Sequence, residues 1–479
     1  MNYKKIFRFF WKNKLIILII LLLFFFYKSS FNVYFSQDDF FHLNFSKAKS
    51  IPDFINFFSF RNQFGYGFYR PLTTQVFLFI GQTVFGENYL CFKMVSFVIF
   101  CLNIILCYKI FKILFRNEER ASLFACLIYS LSSFHLTTLS YLSAFEEIGV
   151  AFFFFLSFYT YLKDRKIAIL FFTLALLSRE TAVTLPLIIL MYEIFIKKNK
   201  NIRALIKKVF PYFLILAIYI LFRFYFKTFP DGKIYSFTFL PKKIINNYFW
   251  YSLWGLGAPE SLVDFIGPGL KINTRFFLYF PPLGLFVLIF PILISIIILI
   301  RGINYFFKTK EKGNSYFLIA WFIVTLLPFV ILLNHRFAYY LEIPFLGLSG
   351  LIATVFNKEK SLKILFILLF LLGSFLTVSF YNKTYWAINR SKISYKIINE
   401  IKNQFPKLPK GSVLYFLNDK NYISPSEQWG NTSTQARIAL SECLGPQFVF
   451  NDPSLTCFFE DNSSPSASIQ FYPLIVKLD

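Results

Sequence analysis

The stretch YFSQDDFFHLNF at 34–45 places two adjacent carboxylates, Asp38 and Asp39, just past a long apolar run. Acids are scarce, 25 Asp and Glu against 50 Lys and Arg, so a pair of them is worth explaining. The other charged groups of interest are Arg70 in YRPL, the pair Glu146 and Glu147, Arg179 and Glu180 in SRETA, and His335 and Arg336 in NHRFAYYLEIP. A carboxylate can take the proton of a hydroxyl as a general base. A guanidinium can hold a departing phosphate through paired N–H groups. Together these groups suit transfer from a phosphate carrier to a hydroxyl.

Each group also has an ordinary structural explanation. Asp38 and Asp39 can cap a following helix with Ser36, and Glu146/Glu147 suit the positive end of a helix. Arg179 and Glu180 can pair internally to brace two short helices, and Arg70 and Arg336 can snorkel to head groups. His42, His135 and His335 are each read as structural hydrogen-bonding groups. Adjacent residues on a helix point about 100° apart, so one acid of the Asp pair addresses a site and the other caps, orients or binds a cation. What favours a site is that acids and arginines far apart in sequence map to one side of a membrane.

That membrane follows from composition. Of 479 residues 56% are hydrophobic and 70 are Phe, with mean hydropathy +0.56, beyond what a soluble core needs. The aromatic excess is read as apolar bulk rather than as a binding code. The net charge of +25 sits in short clusters between apolar runs, which points away from nucleic acid and towards cytoplasmic loops. At about 20 apolar residues per crossing, we expect about eleven spans near 13–32, 89–115, 121–138, 147–162, 167–178, 181–196, 208–228, 276–300, 315–333, 341–356 and 362–380. The first is too long, and lacks the small-residue site, for a cleaved signal peptide. The basic clusters share one side if the N-terminus is cytoplasmic: Lys4, Lys5, Arg8, Lys12 and Lys14 before the first span, then those at 163–166, 197–208, 301–312 and 358–363. Lys93 and Lys109, at the second span, are expected to snorkel.

The opposite side then carries a long first loop, 33–88, holding the acid pair and Arg70. Its pieces at 52–60 and 71–85 suit helices lying in the interface plane. Also outside are Glu146/Glu147, the SRETA turn, a Trp-containing stretch at 229–275, and His335, Arg336 and Glu342. From about Tyr381 the chain turns polar: an amphipathic helix TYWAINRSKISYKIINEIKNQF, strand-like SVLYFL, a helix around TQARIALSECL, then QFVFN and SIQFYPLIVKL. We expect an extracytoplasmic α/β domain at 381–479, in which Cys443 and Cys457 are candidates for a disulfide. No metal-finger Cys or His spacing occurs.

The acid pair in a long first loop, YRPL at 69–72 before an apolar stretch ending VFG, the EE pair, LLSRETAVTLPL, and HRFAYYLEIPFLGL resemble the GT-C superfamily of polytopic glycosyltransferases. The similarity, over roughly residues 1–390, is to the protein O-mannosyltransferase and aminoarabinose-transferase group. Mannosyltransferases of that group show Asp-Glu and His-Pro where this chain has Asp-Asp and Arg70-Pro71, so sugar and acceptor do not carry over. The resemblance implies an all-α polytopic catalytic domain at 1–380 in the plasma or inner membrane. It also implies inverting transfer of a hexose or pentose from a polyprenyl-phosphate donor to a hydroxyl of a protein, lipid or glycan.

On that reading Asp38 or Asp39 is the base and Arg336, Arg179, Arg70 and His335 face the donor phosphate. Glu146/Glu147 orient the acceptor or hold a divalent cation, and Glu180 accompanies Arg179. A cation is a candidate, with no cofactor assigned; partners are the lipid-linked sugar, the acceptor and membrane lipids, with no nucleic acid. The rival reading is a transporter or flippase of a lipid-linked or polyanionic substrate, which would carry ionisable groups mid-membrane in repeated halves.

Overall fold

A computed structural model describes residues 14–61, 67–228, 235–267, 271–279, 283–309, 312–332, 334–356, 360–422, 430–466 and 468–478. Lys4, Lys5, Arg8, Lys12, Lys310 and Lys358, used above for orientation, lie outside them. The first apolar run forms α1 (Lys14–Phe26), and the acid pair opens a short helix, α2 (Asp38–Phe45). Arg70 precedes a wide π-type turn, Pro71–Val76, that runs into α3 (Phe77–Phe85). Then come α4 (Tyr89–Leu114), α5 (Glu119–Ser130), α6 (Phe145–Leu162), α7 (Ala168–Leu176), α8 (Leu185–Phe195) and α9 (Ile202–Tyr225). After α10 (Pro241–Gly255) follow α11 (Leu283–Lys308), α12 (Gly313–Val330), α13 (Phe345–Val355) and α14 (Lys360–Thr384).

Among the described residues six helices are long and apolar enough to cross a bilayer: α4, α6 extended back to Leu142, α9, most of α11, α12, and α14 with its continuation. The other expected spans correspond to α1, α5, α7, α8 and α13, which run 9 to 13 residues. At 1.5 Å per residue these reach roughly 14–20 Å, short of a ~30 Å hydrocarbon core. Outward faces of α1, α9 and α11 are apolar, with Leu18, Phe25, Leu221, Phe224, Ile292 and Leu299 exposed, a pattern that fits lipid rather than water. By contrast α6, which carries Glu146 and Glu147, is enclosed by protein, with Phe154, Phe155 and Phe158 fully buried. Its acids are therefore fixed by neighbouring side chains and not by solvent.

The polar tail begins with α15 (Trp386–Gln404) and adds β1 (Val413–Asn418), α16 (Thr432–Ala439), α17 (Leu444–Val449), β2 (Thr456–Phe459) and β3 (Tyr472–Val476). The strands form one parallel sheet in the order β2-β1-β3, with Val413 opposite Thr456 and Leu414 opposite Tyr472. Ile397, Ile401, Leu414, Phe416, Leu440 and Leu474 fill its core. QFVFN, for all its apolar character, lies mainly in α17, and SIQFYPLIVKL supplies β3. Cys443, the residue before α17, is disulfide-bonded to Cys457 in β2. The tail does not stand apart, because Phe35, Phe40 and Leu43 belong to the same buried cluster as its core.

Candidate functional site

Three segments meet around Glu146. Pro71 has no N–H to give, and the π-type turn it opens is fastened to the end of α7 by Leu72 N–H to Leu177 O (3.1 Å) and by the Thr73 hydroxyl to Ser178 O (2.6 Å). Gly149 lets this turn approach α6, since a Cβ there would stand 2.4 Å from Thr73 Cγ2. Arg70 and Arg179 thereby reach the same carboxylate. Glu146 Oε2 accepts from Arg70 Nη1 and from Arg179 Nη1 (2.7 Å), and Oε1 accepts from the Thr74 hydroxyl (2.6 Å). Arg179 Nε also lies 3.2 Å from Glu147 Oε1, paired in charge but off the line of a hydrogen bond.

Arg179 and Glu180, expected to pair with each other, pair elsewhere. Arg179 is extended (φ −165°, ψ 153°), so its side chain and that of Glu180 leave the chain in different directions. Glu180 accepts instead from Arg70 Nε (3.0 Å) and from Arg223 Nη1 (3.0 Å). Arg223 is also held by Tyr219 OH (3.0 Å), Thr228 O (3.0 Å) and Gly67 O (3.1 Å). Arg179 packs over the Tyr340 ring at 5.3 Å, and Arg70 over Phe68 at 4.2 Å. Guanidinium and carboxylate groups thus alternate in one largely enclosed chain.

The two acids of α2 part company. Asp39 is buried and spends its carboxylate on the Ser143 N–H and hydroxyl (each 2.7 Å) and on the Ser36 N–H (3.1 Å). Burial pushes its carboxyl above the usual range, against the pull of Lys93 and the hydrogen bonds from Ser143. Lys93 does not snorkel: it is buried and donates to Ser140 O (2.6 Å), an acceptor freed where the helical path breaks before α6. Asp38 stays exposed, with the Tyr141 hydroxyl donating to it at 2.7 Å. His42, one turn further along α2, lines an open cleft with Phe41, Phe45, Phe68, Arg70 and Glu146.

His335 and Arg336 arrive on the segment after α12. The His335 ring packs tilted against Tyr235 (4.6 Å) and edge-on against Phe337 (4.9 Å). Burial, with Arg179 and Arg70 nearby, pushes its pKa down to about 4, so the ring is neutral near pH 7. Arg336 Nη1 donates to Asn247 Oδ1 at 3.4 Å. Among the described residues no carboxylate lies within ion-pair distance of it. Tyr235 links the parts: it packs on Phe68 and His335 and sits within electrostatic reach of Arg70, Arg179, Asp38 and Glu146. Also among the described residues, no group of three His, Cys, Asp or Glu side chains is placed to hold a metal ion.

Residues 69–226 match the family described as dolichyl-phosphate-mannose-protein mannosyltransferase, a segment that carries Arg70, Glu146, Glu147, Arg179, Glu180 and Arg223. Across nearly the whole chain the fold matches a crystal structure of ArnT from Cupriavidus metallidurans bound to undecaprenyl phosphate. The identity is 10% and the TM-score 0.51, over 94% of this chain and 90% of that one. The chain has the fold of that ArnT structure. Among curated proteins nothing matches.

Within this fold the structure brings Arg70, Arg179, Glu146, Glu147 and Glu180 into one ion-pair chain. It sets Asp38 and His335 beside that chain across Tyr235, and turns Asp39 inward. Arg336 is joined to the chain by no ion pair or hydrogen bond among the described residues. Glu342 is fully buried with His135 (2.9 Å) and Tyr129, a structural pair away from the acid helix. Reading the sequence missed Arg223, Thr74, Tyr141 and Tyr235. For Arg223 a signal existed, a charge at the end of an otherwise apolar helix; the other three carry none.

Proposed function

We propose that this chain is an inverting glycosyltransferase that moves a sugar from a polyprenyl-phosphate donor to an acceptor hydroxyl at the outer face of the membrane. The observation that carries the proposal is the division of labour in α2: Asp39 is locked into the fold while Asp38 remains exposed, oriented by Tyr141, beside the cleft that holds His42, Arg70 and Glu146. The matched family description and the lipid phosphate in the ArnT structure support the choice of donor. Asp38 takes the acceptor proton, the hydroxyl oxygen forms a bond to the anomeric carbon, and the bond from that carbon to the phosphate oxygen breaks. Its electron pair leaves with the lipid phosphate.

Arg336, which has no carboxylate within ion-pair distance among the described residues and only Asp264 within electrostatic reach, is assigned to the departing phosphate, with neutral His335 beside it as a hydrogen-bonding ring. Arg70 and Arg179 shape the cleft wall, with Glu146, Glu147 and Glu180 holding them. The chain acts as a hexosyl- or pentosyltransferase with its N-terminus cytoplasmic and eleven membrane-inserted segments, the short helices sitting tilted or partly inserted. Residues 1–380 form the catalytic domain and 381–479 an extracytoplasmic α/β domain.

The test is to incubate the purified full-length chain with a panel of polyprenyl-phosphate sugars and measure released lipid phosphate. Release that Asp38→Asn abolishes is expected. A flippase would move such lipids between leaflets without cleaving them, and intact donors across the panel would overturn the proposal.

A further inference from the structure

Gln37, immediately before Asp38, adopts φ 53° and ψ −121°, a backbone conformation that strains a residue with a side chain. It persists because the tail holds it from two directions. Its N–H donates to Ala439 O at the end of α16 (2.9 Å), and its side-chain Oε1 accepts from Arg390 Nη1 of α15. The rest of α2 is gripped by the same unit: Asn44 donates to Leu444 O (2.8 Å), and Phe40 packs on Phe448. Gly445 packs closely there: a Cβ would meet the Leu440 carbonyl oxygen at 3.0 Å and the Phe40 ring at 3.1 Å.

Arg390 stacks on Trp386 at 4.9 Å, within electrostatic reach of Asp38 and Tyr141. Trp386 in turn meets at 5.0 Å the ring of Tyr141, the residue whose hydroxyl donates to Asp38. Among the described residues Arg390 has no carboxylate within ion-pair distance. Its charge is therefore turned to the α2 N-terminus rather than spent on a surface pair.

We propose that Arg390 is a positioning residue, and that through it and Gln37 the C-terminal α/β unit sets the orientation of Asp38. This deepens the glycosyltransferase reading and rests on Asp38 being its base, but its first test does not need turnover. In the full-length chain in detergent, Arg390→Ala should raise hydrogen exchange of the amides at 36–45 roughly tenfold, with the α6 amides unchanged. With a donor that the unaltered chain uses, kcat should fall roughly 100-fold while KM for the donor stays within about twofold.

Arg390→Lys should recover about a tenth of the lost rate, since an ammonium reaches Gln37 Oε1 without the stacking. Gln37→Ala should reproduce the defect, and the double variant should lose no more than either single one. Lys402→Ala, which removes a tail contact to Glu87 (3.4 Å) that does not involve Gln37, is the control and should change neither readout. Unaltered exchange at 36–45 in Arg390→Ala and in Gln37→Ala overturns the proposal, as do additive losses in the double variant. If no donor is turned over by the unaltered chain, the enzymatic reading fails alone and the exchange data still decide the positioning claim.

Discussion

The ion-pair chain at the head of α6 and the acid helix α2 lie on either side of Tyr235, and they handle charge in opposite ways. In the first, the guanidinium groups of Arg70, Arg179 and Arg223 are matched by the carboxylates of Glu146, Glu147 and Glu180. In the second, Asp38 is exposed with the Tyr141 phenol donating to it, and Arg390 nearby has no carboxylate within ion-pair distance among the described residues; Arg336, after α12, has none that close either, Asp264 being its one carboxylate within electrostatic reach. A matched buried network has little field left for a substrate, and removing any member strands a partner. An unmatched charge is available to a reacting group. Charged residues at a membrane edge are therefore not equivalent, and compensation separates scaffold from reagent.

The sharpest test of that contrast is within α2 itself. Asp38→Asn should lower transfer roughly 1,000-fold with the melting temperature unchanged. Asp39→Asn should instead cost about 1–3 kcal/mol of stability, because a buried acceptor of backbone and hydroxyl donors is replaced by a group that accepts at only one atom. Turnover and thermal melts of the two purified variants check this, and reversed roles would break the comparison.

In the matched network, Glu146→Gln should destabilise by about 3–5 kcal/mol, since Arg70 and Arg179 both lose their shared counter-charge. Glu180→Gln, at a residue whose side chain is 29% exposed, should cost less. Equal melts for the two variants would mean that the network does not carry the structure.

Much of this is visible in residue types, because a charge at a membrane edge needs a reason: Asp38/Asp39, Arg70, Glu146/Glu147 and Arg179 each stand out in the sequence alone. The crossing helices were legible for the same reason, as long apolar runs between basic clusters. What the chain order hides is pairing. Arg179 and Glu180 are neighbours that diverge, and Lys93 found carbonyl acceptors that no hydropathy pattern announces. Arg390 reaches Gln37 across 353 positions. The runs holding α5 and α13 read as full spans because apolar residues continue through the turns that end these helices, whereas 167–178 and 181–196 are short for a full crossing already in the sequence and fold as the short α7 and α8.

Arg336→Ala comes next in expected size. It should reduce kcat roughly 100-fold, as loss of one donor to developing oxygen charge does elsewhere, and leave the melting temperature near that of the unaltered chain. Arg336→Lys should retain more activity, because a point charge still offsets the phosphate without the paired N–H geometry. A large fall in stability with either variant would move Arg336 into the scaffold class.

The smallest effect concerns Glu260, whose carboxylate accepts the Ala338 N–H at 2.7 Å, two residues past Arg336. Burial pushes its pKa up from 4.5 to about 7, although the Ala338 N–H and Trp386 pull the other way. An acid with a raised folded-state pKa keeps a proton that the unfolded chain has already released, so stability falls as pH rises from 4.5 through 7 and levels off above. Between pH 6 and 8 the loss should be roughly 1 kcal/mol, and Glu260→Gln should remove it. Melts of both proteins across that range measure the difference directly. If the slope survives the substitution, some other group near Arg336 is titrating, and the charge of Arg336 is more compensated than the contrast with the ion-pair chain requires.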